Sequence, residues 1–282
     1  MIYETIDLYD YFKIGRGGAT GGYLTAYARS QLSELYRKTR PAILVIPGGG
    51  YGMISGREGE PVALEFLSKG YAAFQLKYTV ETAYPVPLNE AVMAMRFIRE
   101  NAARFQIDPA LVAAIGFSAG GHLAGLLSTV TEEEAQRAVG VSDKLVRPDA
   151  AILSYPVITM REGLTHEGTR RISSGGGQID YDFLSIEKRV TKECPPCFIW
   201  HTAADTCVPV ENSLLLASAC RSEGVPFSLH IFERGWHGLS LCNEETGGQT
   251  PEDAEHVRVG KWAELALSWL SSRGFSVKEA EA

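Results

Sequence analysis

The 282-residue sequence predicts an α/β chain: a mostly parallel central sheet covered by helices on both faces. Three observations carry this. Ala42–Ile46 (AILVI) is an unbroken apolar run, the pattern of a strand buried on both faces. Strand-like runs then alternate with stretches of helical spacing as far as Leu270. Between two such stretches, Val112–Phe117 runs through Gly116-Phe117-Ser118-Ala119-Gly120 directly into small, helix-compatible residues. No repeat and no interdomain linker interrupts the alternation, so residues 1–282 read as one domain.

The elements follow in order. About the first 40 residues read as two strand-like pieces, Ile6–Phe12 and Tyr23–Arg29, joined by glycine-rich turns. A polar stretch, SELYRKTRP, leads into Ala42–Ile46, which ends in Pro47-Gly48-Gly49-Gly50-Tyr51. Pro61 suits a first helical turn, and Val62, Phe66 and Leu67 recur at helical spacing until Gly70. Tyr71–Tyr78 is the next strand. Leu88, Val92, Met95, Ile98, Ala102 and Phe105 mark a long amphipathic helix, closed by an Asp108-Pro109 turn. The strand into Ser118 is followed by a helix to about Ser128, and Ala150–Tyr155 is again a strand. Cys197–His201 and Pro226–Phe232 continue the strands; Glu211–Arg221 and Trp262–Leu270 continue the helices. Residues 161–182, with Ser173-Ser174-Gly175-Gly176-Gly177, break the rhythm. They read as an irregular insert, either a lid over a binding site or a surface excursion. The charged tail after Phe275 is expected to fray.

With 45% hydrophobic and 22% charged residues the chain can bury a large core. Its net charge of −7 disfavours nucleic acid and anionic membranes as partners. No apolar run approaches the ~20 residues of a membrane span. The opening MIYETIDLYDYFKIG carries acids early and lacks the basic and apolar regions of a signal peptide, so a cytoplasmic location is expected. The five cysteines are an odd number. Cys194-Pro195-Pro196-Cys197 precedes a strand, whereas a redox C-x-x-C follows one, and no second ligand pair suggests zinc. It reads as a proline-rich loop, and free thiols suit a reducing compartment. No cofactor or metal is expected.

A serine on a sharp strand-to-helix turn has strained backbone, so positions two residues either side must be nearly free of side chain. Gly116 and Gly120 supply this around Ser118. Read otherwise, G-F-S-A-G is a glycine-rich turn that happens to hold a serine; the strand before it and the helix after it favour a nucleophile elbow. A hydroxyl near pH 7 needs a base to take its proton, and the base needs an acid to orient it. Asp205 lies just past the FIWH strand, while its rivals Asp180 and Asp182 sit in irregular sequence. His237 follows the Phe227–Phe232 strand between glycines. His122 is too close to Ser118 along its helix; His201 and His230 fall in strands, and His166 and His256 lack context. The glycines after Ile46 match an oxyanion loop, so Gly49, Gly50 and Ala119 are the expected amide donors. Tyr51 and Trp236, next to these parts, are candidate substrate contacts.

The runs PGGGYGMISGREGEP, IGFSAGGHLA, RPDAAILSYPVI and FIWHTAADTCVPVENS resemble the acetyl xylan esterase-like α/β-hydrolases, a group of bacterial carbohydrate acetylesterases. The likeness extends from about Ala42 to Leu270. It implies an α/β-hydrolase fold, Ser118, Asp205 and His237 as nucleophile, acid and base, and no cofactor. It also implies a small-molecule or oligosaccharide ester as substrate, deacetylated through an acyl-enzyme. Two positions depart from the pattern. Ala204 stands where relatives often carry a second aspartate, and Trp236 where proline often precedes the base. Feruloyl or small-molecule esterase and amidase activities on the same fold, and a non-catalytic binding protein, remain as alternatives. So does the oligomeric state, a homo-oligomer included.

Overall fold

The computed structural model describes residues 1–30, 32, 34, 39–247 and 258–276. An eight-stranded sheet runs in the order β1-β2-β4-β3-β5-β6-β7-β8. Its strands are β1 (Ile2–Asp7), β2 (Tyr23–Ala28), β3 (Arg40–Ile46), β4 (Ala72–Lys77), β5 (Ile107–Phe117), β6 (Ala150–Ser154), β7 (Cys197–Thr202) and β8 (Phe227–Phe232). β1–β2 and β2–β4 pair antiparallel; every later pairing is parallel. This is the α/β-hydrolase arrangement.

Side-chain alternation along the strands splits the interior into two cores. Ala42, Leu44 and Ile46 of β3 face one core, with Phe74, Ala114, Leu153 and Ile199 of neighbouring strands. That face is covered by α3 (Val86–Glu100), α5 (Ala119–Ser128), α6 (Glu132–Val139) and α9 (Glu211–Glu223). Ile43 and Val45 face the other core, with Ile115, Phe117 and Trp200, under α2 (Glu60–Ser68) and α10 (Trp262–Ser272). Strands apolar on both faces are what parallel pairing with two-sided helical cover requires.

Local structure departs from the sequence expectation at three places. Ile6–Phe12 is not one strand: β1 ends at Asp7, whose carboxylate accepts from the Asp10 amide at 3.1 Å and caps α1 (Leu8–Phe12). A side-chain cap outweighs the apolar pattern there, because α1 also buries Leu8 and Tyr9. Asp108-Pro109 does not merely close the long helix, which breaks into α3 and α4 (Ala102–Phe105). It sits inside β5, where the register jumps from Arg40↔Ile107 to Ala42↔Val112, so proline lies in a bulge that needs no ladder donor.

The third departure is residues 161–182, which hold regular structure: α7 (Glu167–Ser173) and the start of α8 (Tyr181–Leu184). Gly175, Gly176 and Gly177 all take positive φ and reverse the chain after α7. The segment covers a small core of Val157, Met160, Leu184 and Val208. The Ile158 and Thr159 amides donate to the Asn212 side chain, and the Tyr84 amide donates to the Ser173 carbonyl. The tail beyond Ser276, expected to fray, lies outside the described residues.

Arg189 pins the end of this region. Its Nη2 donates to both Glu134 oxygens at 2.9 and 2.7 Å, and its Nε to Thr129 Oγ1 at 3.0 Å. Both charged side chains are nearly inaccessible. Removing one partner of a buried pair leaves the other charge uncompensated. Glu134→Gln is therefore expected to lower unfolding free energy by about 3 kcal/mol in urea titration; a loss below about 1 kcal/mol would show the pair to be ornamental.

Candidate active site

Ser118 joins β5 to α5 at φ 54°, ψ −119°, a conformation that L residues avoid. Neighbours enforce it. The Ser118 amide donates to the Ser154 carbonyl at 3.0 Å, and its carbonyl accepts from the Val157 amide at 3.1 Å. A Cβ on Gly116 would lie 2.2 Å from the Gly120 carbonyl oxygen, and one on Gly120 would lie 2.2 Å from that of Ile46. Only glycine fits at either position. The turn lifts Ser118 Oγ into a cleft of about 370 Å³ lined also by Gly49, Gly50, Glu58, His166 and His237.

His237 Nε2 lies 2.7 Å from Ser118 Oγ, and its Nδ1 lies 2.7 Å from Asp205 Oδ2. Three residues separated by 119 and 32 positions thus form one chain of hydrogen bonds. Asp205 is buried, and its Oδ1 accepts from the Cys207 and Val208 amides, each at 2.9 Å. Burial alone would raise its pKa; hydrogen bonds from His201 and His237, with the Val208 amide, outweigh burial and hold the carboxyl well below the usual range. A carboxylate accepting from Nδ1–H leaves the Nε2 lone pair facing the serine.

The expected oxyanion donors gather on the same side. Ala119 is the first residue of α5, so its amide has no intrahelical acceptor. The Gly48 amide is committed to Glu58 Oε2 at 2.8 Å, and Gly49 and Gly50 line the cleft at positive φ. Glu58, which sequence reading missed, is buried and ties two loops together. Its Oε1 accepts from Tyr155 Oη at 2.6 Å, and that oxygen accepts from the Ser240 amide at 2.9 Å, three residues past His237. The Tyr155 ring also stands edge-on to His237, centroids 5.0 Å apart. No local pattern announces Glu58, because Tyr155 is 97 positions away.

Other expectations are redistributed. Tyr51 does not line the cleft: its side chain is buried and its hydroxyl lies 2.9 Å from His122 Nδ1. The reason is the left-handed backbone at Tyr51 (φ 61°), which turns the ring into the core beneath the glycine loop. Trp236 is exposed beside His237 but is not among the cleft-lining residues. His122 Nε2 faces the Leu184 carbonyl at 2.8 Å, so Nε2 carries the proton and Nδ1 accepts from Tyr51. His201 sits second on Asp205, with Nε2 3.3 Å from Oδ2. His166, set aside for want of context, lines the cleft. His256 lies outside the described residues. Among the described residues none of the five cysteines forms a disulfide, and no cluster of three or more His, Cys, Asp or Glu could hold a metal.

Two measurements probe this wiring. Glu58→Ala frees the glycine loop and the His237 loop together and should lower kcat by about 10- to 100-fold, with KM moving less; an unchanged kcat would dissociate Glu58 from the site. Burial pushes the His122 pKa down to about 4. The unfolded chain therefore takes this proton first, and stability present above pH 6.5 is lost as pH falls toward 4. That slope, about 3 kcal/mol across the window, should be missing from His122→Gln in denaturant titrations at pH 7 and pH 4.

A family model described as BD-FAE matches residues 31–220. Endo-1,4-beta-xylanase B of Butyrivibrio fibrisolvens is 43% identical over 213 residues, 73% of this chain and 33% of that protein. The acetylxylan esterase of Xylanibacter ruminicola is 34% identical over 209 residues, 71% of this chain and 41% of that one. The chain thus spans a third to two fifths of the length of these curated relatives. The crystal structure of the acetyl ester-xyloside bifunctional hydrolase from Caldicellulosiruptor lactoaceticus superposes with TM-score 0.81 at 36% identity, covering 97% of both chains. Fold, strand-turn-helix serine and family match coincide on one conclusion: this chain belongs to the BD-FAE family and has the α/β-hydrolase fold.

Proposed function

We propose that the chain is a serine carboxylesterase that removes acetyl groups from xylan-derived or related carbohydrates. The observation that carries this reading is the unbroken Ser118–His237–Asp205 relay, 2.7 Å at each link, opening into a cleft lined by Gly49 and Gly50. His237 Nε2 takes the proton as Ser118 Oγ attacks the ester carbonyl. The Gly49, Gly50 and Ala119 amides receive the charge on the tetrahedral oxygen. Asp205 keeps the imidazole in the productive tautomer and stabilises it once charged. The C–O bond then breaks, His237 returns its proton to the departing alcohol, and an acetyl-Ser118 ester remains. Water attacks that ester with His237 again as base, giving acetate and free serine.

The acetyl and carbohydrate parts of the proposal draw on what the relatives are named for, an acetylxylan esterase and an acetyl ester-xyloside hydrolase. The test uses two substrates and two variants. p-Nitrophenyl acetate reports ester cleavage, and acetate release from acetylated xylo-oligosaccharide against ferulate release from feruloyl esters reports the acyl group. Ser118→Ala should abolish turnover while leaving the thermal midpoint within a few degrees. Asp205→Asn should lower kcat by several orders of magnitude, since an amide can hold the wrong tautomer. Turnover persisting in Ser118→Ala would remove the nucleophile from the scheme.

A further inference from the structure

His166 occupies a position that its residue type does not suit on local grounds. It is the N-cap of α7, where serine, threonine, aspartate or asparagine ordinarily serves. Here the imidazole does the capping: the Thr169 amide donates to Nδ1 at 3.2 Å, and Thr169 Oγ1 lies 2.9 Å from the same nitrogen. A nitrogen that accepts from a backbone N–H carries no proton, so Oγ1 also donates to it, and the neutral ring carries its hydrogen on Nε2. Thr169 is itself fully buried, which fixes the ring from beneath.

The same ring is part of the cleft wall. His166 lines it with Ser118, His237 and Gly50, and a Cβ built on Gly50 would lie 3.1 Å from His166 Cε1. The ring therefore rests against the glycine loop. Nε2 has no hydrogen-bond partner among the described residues, and the residue is half-buried. Burial first, and His237 second, hold its pKa below the ordinary histidine value, which favours the neutral ring. An aspartate or serine would cap α7 as well or better but is too short to extend a donor from that backbone position. A locally disfavoured residue that lines a reaction cleft indicates work done in the cleft.

We propose that His166 is a specificity-determining residue, its Nε2–H donating to a hydroxyl or ring oxygen of the sugar that bears the acetyl group. This rests on the carbohydrate-esterase reading above. Beyond its carbonyl oxygen, which the amides take, an acetyl group has only a methyl. The polar atoms left for a side-chain donor are those of the sugar. An aryl acetate offers none of them.

His166→Asn separates capping from reach, because its Oδ1 can still accept from the Thr169 amide. For this variant and the parent, kcat/KM is measured on p-nitrophenyl acetate and on an acetylated methyl xyloside, with melting curves as a check of folding. The ratio of sugar ester to aryl ester should fall about tenfold, chiefly through KM, the worth of one neutral hydrogen bond. His166→Asp, a cap of equal quality, should shift the ratio in the same direction. An unchanged ratio in both variants, or a loss confined to kcat on both esters, overturns the assignment. Parent enzyme active on the aryl ester and inert on the xyloside overturns the sugar contact alone; a parent inert on both sinks the esterase reading and this contact with it.

Discussion

The left-handed turn at Ser118 is the constraint around which the rest is built. A residue at φ 54° is costly by roughly 1–3 kcal/mol and persists only where its surroundings leave no alternative. Here β3 and α5 approach so closely that a Cβ on Gly120 would strike the Ile46 and Pro47 carbonyls, and one on Gly116 would strike Gly120. That approach follows from β3 and β5 being neighbours in the sheet. The same adjacency brings the loop after β3 alongside the serine. Strand order thus positions the glycine amides, and the elbow sterics bring them into register with Ser118.

Asp205 shows how the site manages a buried charge. Removing a carboxylate from water is expensive, and here two amides and His237 donate to it while His201 Nε2 lies 3.3 Å from Oδ2. His201 is the quiet member: its Nε2 also faces the Val208 carbonyl at 2.9 Å and its Nδ1 the Ser213 hydroxyl at 2.8 Å. It closes the loop that carries Asp205. Glu58 plays a comparable part opposite, holding the Gly48 amide and, through Tyr155, the backbone that follows His237. The loops that carry Asp205, the glycines and His237 are thus each tied to a buried polar group.

Much of the fold was legible because parallel strands buried on both faces must be continuously apolar, and Ala42–Ile46 and Val112–Phe117 are. Legibility failed where one side chain reset the backbone. Asp7 converted the end of an apolar run into a helix start. Residues 161–182 read as irregular because their apolar anchors, Ile179 and Tyr181, pack against Val157, Met160, Leu184 and Val208 rather than against a periodic face of their own. Tyr51 was readable as a neighbour of the glycine loop, but the sign of its φ decides that the ring points away from the cleft.

The elbow around Ser118 and the glycine loop after Ile46 are readable from the residues alone, because each rests on positions close together in the chain with fixed steric or turn requirements. It takes the folded chain to join two loops through Glu58, to turn Tyr51 and His122 to each other, and to bring His166 into the lining of Ser118's cleft. Those partners lie from 10 to 97 positions apart. Hydrogen bonds between such residues depend on where the sheet places its loops, and no local periodicity encodes that.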